Sequence, residues 1–259
     1  MRLAATVLAM TLFTATAPLS AERQVGVLLM HAKGGTSSAL SPIGRLARFL
    51  ESNGFLVSAP DMPWSQTRGF DKTFEESMAE IDERVEELRK RGATNIVVGG
   101  HSIGAGASLG YGARHDGLAG ILAIAPGHYP ELAGFQNRAG NDWQRAKEMV
   151  EAGKGDVVAA FKDATQGRTK ERTMKAKVYL SWFDPEGPAV MPVNTANLKP
   201  GTPLLWIIGE NDPQYRMGKN YAFSSAPSHS KNAYIVVKGG HNVTPQTGER
   251  EIVAWLRSL

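Results

Sequence analysis

NIVVGGHSIGAGASLGYGARH, residues 95–115, runs from the β-branched Ile96-Val97-Val98 into a stretch that sets six glycines around a central Ser102. The β-branched run predicts a buried strand, and the small residues from Ile103 to about Arg114 predict a helix able to pack closely on a sheet. Between them stands Gly100-His101-Ser102-Ile103-Gly104, a G-x-S-x-G at a strand-to-helix turn. A serine there is held in strained geometry, and side chains two positions to either side would strike neighbouring backbone, which accounts for Gly100 and Gly104. In a chain with 28 glycines the five-residue pattern alone is weak, and an ordinary glycine-rich turn is the plain alternative. The strand before it and the helix after it give it specificity.

Outward from this segment, apolar β-rich runs recur at Gln24–Met30, Gly54–Ala59, Asn95–Gly99, Ala119–Ala125, Pro203–Gly209 and Ala233–Val237, with helical patterns between them. Near-continuous apolar strands alternating with helices imply a parallel sheet covered on both faces. Ser41-Pro42 reads as an N-cap followed by an N1 proline, and Thr73 with Glu76 as a capping box. The charges at Glu75, Glu80, Asp82, Glu83, Arg84 and Glu87 then mark a solvated helix face behind the apolar series Phe74, Met78, Ile81, Val85 and Leu88. More than seventy residues separate the strand ending at Ala125 from the one starting at Pro203, too many for a simple crossover. We expect a cap insertion at about 127–200, with a helix across Asn141–Phe161 and a strand-like or buried segment across Met174–Phe183.

A serine hydroxyl is a poor nucleophile at neutral pH and requires a positioned base that is itself oriented by a carboxylate. Leu204–Ile208 is followed by Gly209-Glu210-Asn211-Asp212-Pro213, and Tyr234–Val237 by Lys238-Gly239-Gly240-His241. Asp212 and Glu210 are both candidate acids and His241 the candidate base, in the chain order nucleophile, acid, base. Taken singly, an aspartate after a strand is often a helix N-cap and a glycine-flanked histidine an ordinary loop residue.

Together these residues resemble the α/β-hydrolases, over nearly the whole of residues 22–259. The resemblance implies a three-layer α/β-hydrolase fold with a mainly parallel sheet of about six strands, lacking the two antiparallel strands that begin many members, and with a cap insertion. It also implies a serine hydrolase cleaving carboxylic esters through an acyl-enzyme: Ser102 as nucleophile, His241 as base and Asp212 as acid, with Glu210 second choice. The implied oxyanion donors are the backbone N–H groups of Ile103 and of Ala32, the latter in Met30-His31-Ala32-Lys33-Gly34-Gly35, where the family often has glycine in place of Ala32. His31 is expected to brace that loop. Trp64, Tyr129, Trp143, Trp182 and Phe183 are candidates for the acyl pocket, Trp64, Tyr129 and Trp182 first among them, with plain core the alternative for each.

Met1-Arg2, the uncharged Leu3–Phe13 and the small residues up to Ala21 read as a signal peptide, residues 1–21, with cleavage after Ala21 and export to the periplasm or beyond. No membrane anchor is expected after cleavage. With no cysteine, thiol catalysis, disulfides and cysteine metal sites are excluded. Six histidines without H-E-x-x-H spacing argue against a metal hydrolase, and neither G-x-G-x-x-G nor G-x-x-x-x-G-K is present. We expect no metal and no cofactor. A net charge of +4, spread along the chain, gives little ground for nucleic-acid binding; the basic tract Arg168–Lys177 reads as a solvated surface. The expected partner is a small-molecule acyl substrate, with oligomeric state open. Thioester or amide cleavage by the same residues, a non-catalytic periplasmic binding protein on this fold, and an anion-binding surface protein are the competing readings.

Overall fold

A computed structural model describes residues 24–165 and 167–259; the expected signal peptide lies outside the described residues. The apolar runs form β1 (Val25–Met30), β2 (Leu56–Ser58), β3 (Asn95–Ser102), β4 (Gly120–Pro126), β7 (Leu204–Gly209) and β8 (Ala233–Val237), one six-stranded sheet in the order β2-β1-β3-β4-β7-β8. Every ladder in it is parallel. This is the layering expected of the alternating pattern, because strands buried on both faces need apolar residues at successive positions.

Helices α1 (Pro42–Ser52), α2 (Phe74–Lys90) and α3 (Ile103–Gly112) follow β1, β2 and β3. The Ser41 side chain accepts from Gly44 N–H, and Thr73 and Glu76 form both halves of the capping box. One face of the sheet packs Val27, Leu29, Val97, Leu122 and Ile207 against Leu46 and Leu50 of α1. The C-terminal α9 (Glu249–Ser258) adds Ile252 and Leu256 to this layer. The other face packs Leu28, Val98, Ile121 and Ala123 against α2 and α3. Helix α3 is buried throughout, and a Cβ on its Gly110 would lie 2.4 Å from the Phe74 ring. The small residues of this helix thus let it lie directly against its neighbours.

Between β4 and β7 the chain forms α4 (Ala133–Ala139), α5 (Asp142–Glu151), the antiparallel hairpin of β5 (Val158–Thr165) and β6 (Arg168–Lys175), α6 (Ala176–Phe183) and α7 (Met191–Ala196). The helix expected over Asn141–Phe161 therefore ends at Glu151. Gly153, at φ 72°, turns the chain, and Val158–Phe161 enters a strand. The segment Met174–Phe183 is the end of β6 and then a helix, not a strand, and it is buried at Met174, Ala176, Val178, Tyr179, Trp182 and Phe183. Two polar contacts fasten α6 to the core, Phe74 N–H donating to Ser181 Oγ at 2.9 Å and Trp182 Nε1–H to the Lys72 carbonyl at 3.2 Å. The remaining α8 (Thr244–Thr247) follows β8 and leads into α9. Loops after β1, β3, β4, β7 and β8, at the carboxyl ends of the parallel strands, meet the inserted segment around one cavity.

Candidate active site

Ser102 closes β3 and stands at φ 58° and ψ −119°, a backbone conformation that L-residues adopt only under constraint. The constraint is steric. A Cβ on Gly100 would lie 2.5 Å from the Gly104 carbonyl carbon, and one on Gly104 would lie 2.6 Å from the Met30 carbonyl oxygen. Both flanking glycines are thus required for the turn to close against β1 and α3. A third glycine, which the sequence reading did not single out, is equally confined: a Cβ on Gly127 would stand 2.5 Å from Ser102 Oγ and 3.4 Å from His241 Cε1. The serine hydroxyl and the imidazole therefore converge on the space in front of Gly127.

His241 Nδ1–H donates to Asp212 Oδ2 at 2.7 Å. The carboxylate is buried and its Oδ1 accepts from Gln214 N–H at 2.9 Å, so both oxygens are occupied. Glu210 is exposed to solvent, and its backbone N–H is tied to the Val237 carbonyl. Of the two candidate acids, the fold brings only Asp212 to the histidine. No Ser102–His241 hydrogen bond is formed among the described residues; such contacts commonly tighten only when substrate is engaged.

His101, buried beside the serine, donates from Nε2 to the His241 carbonyl at 2.9 Å, with the two rings 4.9 Å apart. Burial and the neighbouring His241 hold its pKa down to about 3, so the ring stays neutral. It ties β3 to the loop that carries the candidate base.

On the other side, the loop after β1 is fixed through His31. Its Nδ1–H donates to the Ala32 carbonyl at 2.9 Å and its Nε2 accepts from Met62 N–H at 2.9 Å. The Trp64 indole N–H donates to the His31 carbonyl at 2.8 Å. Burial lowers the pKa of this histidine, consistent with a neutral bracing ring. Ala32, whose N–H is a candidate oxyanion donor together with that of Ile103, lines the cavity beside Ser102.

The cavity measures about 710 Å3 and is walled by Leu132, Phe135, Ala164 and Thr165 from the inserted segment, facing Ser102 and His241. Of the expected pocket aromatics, Tyr129 lines it. Trp64 and Trp182 do not: they pack edge to face on each other at 5.4 Å, fully buried behind the wall, because each indole N–H is committed to a core carbonyl. Trp143 and Phe183 are likewise absent from the lining.

Lys33, next to Ala32, was not anticipated. The residue lines the cavity, and its buried ammonium donates to Asp163 Oδ1 of β5 at 2.6 Å, while Arg172 Nε–H of β6 donates to Asp163 Oδ2 at 2.5 Å. The Phe183 and Phe135 rings lie 5.2 and 5.8 Å from the ammonium. Desolvation lowers the lysine pKa, and the two cations hold the carboxyl of Asp163 below its usual range against its own burial. No pattern in the sequence links residues 130 positions apart.

Over residues 27–255 the sequence matches the family described as Alpha/beta hydrolase family. Among solved structures, the chain is similar to a monoacylglycerol lipase of Paleococcus ferrophilus, at 24% identity and a TM-score of 0.65, covering 90% of this chain and 94% of that one. It is also similar to a thermostable carboxyl esterase of Bacillus coagulans, at 15% identity and a TM-score of 0.60 over 92% and 91% of the two chains. A structure from work on the metagenome-derived lipolytic enzymes LipS and LipT aligns at 16% identity and a TM-score of 0.64 over 91% and 94%. These likenesses establish the fold. No curated protein matches the sequence.

Two outcomes are expected from this geometry. Asp163→Ala leaves the Lys33 ammonium buried without a counter-ion and should destabilise the protein by about 3–5 kcal/mol in denaturant titration; a loss below about 1 kcal/mol would show that the ammonium finds water instead. Burial also holds His128 down to about 3, as it does His101. An unfolded chain takes up both protons near pH 6.5, so it binds more protons than the folded one between there and about pH 3, and stability falls as pH falls. The slope should reach about 1–3 kcal/mol per pH unit below about pH 6, read from unfolding midpoints at stepped pH; a flat profile would mean that the enclosed rings accept protons.

Proposed function

The chain belongs to the alpha/beta hydrolase family, and on that premise we infer that it is a serine hydrolase that cleaves carboxylic esters through an acyl-enzyme. The observation that supports this reading best is the convergence of Ser102 Oγ and the Asp212-bound imidazole of His241 on the space in front of Gly127, in the lining of the cavity.

In this reading an ester carbonyl sits with its carbon at Ser102 Oγ and its oxygen facing the N–H groups of Ile103 and Ala32. His241 Nε2 takes the serine proton as the C–O bond forms, and Asp212 stabilises the imidazolium through Nδ1–H. The developing oxyanion is met by donors already in place, which is where most of the rate enhancement in such sites arises. The imidazolium then returns its proton to the departing alkoxide. Water repeats the sequence on the acyl-serine and frees the acid. The neutral His101 serves the same end by fixing the His241 carbonyl and adding no second positive charge next to the imidazolium. Thioesters and amides would meet the same groups. Esters are favoured over amides because an alkoxide is expelled more readily than an amide anion, and thioesters stay open as substrates of the same groups.

The reading includes export. The basic start, the apolar Leu3–Phe13 and the small residues ending at Ala21 support cleavage there and a working place in the periplasm or outside the cell. Among the described residues no helix is long and apolar enough to cross a membrane.

Purified protein treated with a fluorophosphonate probe should gain one adduct by intact mass, and Ser102→Ala should lose both the adduct and ester turnover while keeping its melting temperature. Asp212→Asn should lower kcat by about 10,000-fold, whereas Glu210→Gln should leave it within about twofold; the reverse pattern would move the acid to Glu210. N-terminal sequencing of protein recovered from the periplasm of a bacterial host should begin at Glu22, and an intact Met1 there would rule out cleavage.

A further inference from the structure

The cavity wall has a charge imbalance that the proposed chemistry does not use. Its charged lining residues, apart from the imidazoles, are Lys33, Arg138 and Asp212. Asp212 is taken up by His241 and the Gln214 N–H. Lys33 shares the single carboxylate of Asp163 with Arg172, so two cations sit on one anion and one positive charge is left over inside the wall. Arg138, on α4, is exposed and among the described residues its guanidinium bonds only main-chain carbonyls, with Nη1–H donating to Gly134 at 2.7 Å and Nε–H to Gly167 at 3.3 Å. Among the described residues no carboxylate lies within ion-pair distance of it. Those two bonds hold the guanidinium between α4 and the hairpin turn, where Gly134, Thr165 and Gly167 also line the cavity.

Leu132, Phe135 and Arg138 recur at three-residue steps along α4 and its N-cap, so the lining that includes Ser102 joins an apolar surface, completed by Ala164, to a guanidinium with no counter-ion among the described residues. We propose that this cavity selects esters whose acyl chain carries an anionic group, a carboxylate in the simplest case, with the acyl methylenes along Leu132 and Phe135 and the anion on Arg138. The inference rests on the ester-cleaving reading above. Guanidinium suits this task because its planar fork can meet a carboxylate with two parallel bonds, and here two of its N–H groups are already occupied, which fixes its plane. The positive charge left on the Lys33–Asp163–Arg172 cluster acts in the same direction from within the wall, where screening by solvent is weaker than at Arg138. A neutral acyl chain would fill the apolar section and leave the guanidinium in water.

The test compares 4-nitrophenyl pentanoate with mono-4-nitrophenyl adipate, the same acyl chain extended by a carboxylate, and with 3-carboxy-4-nitrophenyl pentanoate, which carries its charge on the alcohol side. The adipate should be favoured over the pentanoate by about tenfold in kcat/KM, mainly through KM, and about 1 M salt should shrink that ratio. In Arg138→Gln the ratio should fall to about one, and Arg138→Lys should restore part of it as a point charge without the fork. Binding gives an independent readout: Ser102→Ala protein, titrated by calorimetry, should bind monomethyl adipate more tightly than methyl pentanoate, and the added Arg138→Gln change should remove the difference. Equal preference for the charged and neutral acyl chains, an unaltered ratio in Arg138→Gln, or a charge preference confined to the alcohol-side probe would each overturn the proposal. Anion-selective binding without hydrolysis of any of the three esters would support the anion site and reject the ester-cleaving reading.

Discussion

The site is organised by one backbone torsion. Holding Ser102 at φ 58° costs about 1–3 kcal/mol for a non-glycine residue, and the strain persists only because both sides of the residue are fixed. Before it, β3 lies in the middle of the sheet, hydrogen-bonded to β1 and β4 and buried on both faces. After it, the buried α3 cannot rotate without driving side chains into β4 or α2. The register of β3 against β4 shifts between His101 and Ser102, where the strand stops behaving as a strand and presents a hydroxyl. Three glycines border the residue on three sides, so the turn has little room to relax.

A second tie holds the inserted segment to this framework. Lys33 leaves the β1 loop one residue after Ala32 and ends on Asp163, which belongs to the hairpin. A buried ion pair of this kind adds little net stability over a well-packed apolar pair, but breaking it on one side is costly. Its effect is geometric: the loop after β1 and the roof of the cavity cannot separate without exposing an ammonium or abandoning a carboxylate. The aromatic rings of Phe135 and Phe183 beside that ammonium restrict water access to the pair.

The sheet and the strained turn at Ser102 were legible in the sequence because their signals are local. A continuous apolar run can hardly be anything but a two-face-buried strand when it ends in glycines, and caps such as Ser41-Pro42 and Thr73 with Glu76 are read within four residues. The inserted segment was legible only as an insertion. Val158–Thr165 alternates exposed and buried positions with Phe161 and Asp163 turned inward, but its alanines and lysine suit a helix equally well, and what makes it a strand is pairing with Arg168–Lys175. Trp64 and Trp182 look like pocket residues by size and by their place in loops or cap. Their indole N–H groups have partners in the core, which no spacing rule reveals. Gly127 has no motif around it, and its importance comes from what stands opposite it in space.

The inserted segment leaves the sheet after β4 and returns at β7, and these two strands are paired neighbours, Ile121 beside Leu204 through Ile124 beside Ile207. The whole roof is thus a detour between adjacent strands, and the ladder beneath it closes without any contribution from the roof. In engineering terms this invites transplantation: a foreign roof could be spliced between Pro126 and Leu204 with the sheet register intact. Lys33 sets the compatibility rule for such grafts. A donor roof that brings no carboxylate to the place of Asp163 would have to be accompanied by replacement of Lys33 with an apolar residue, and matching that single charge should govern which chimeras fold.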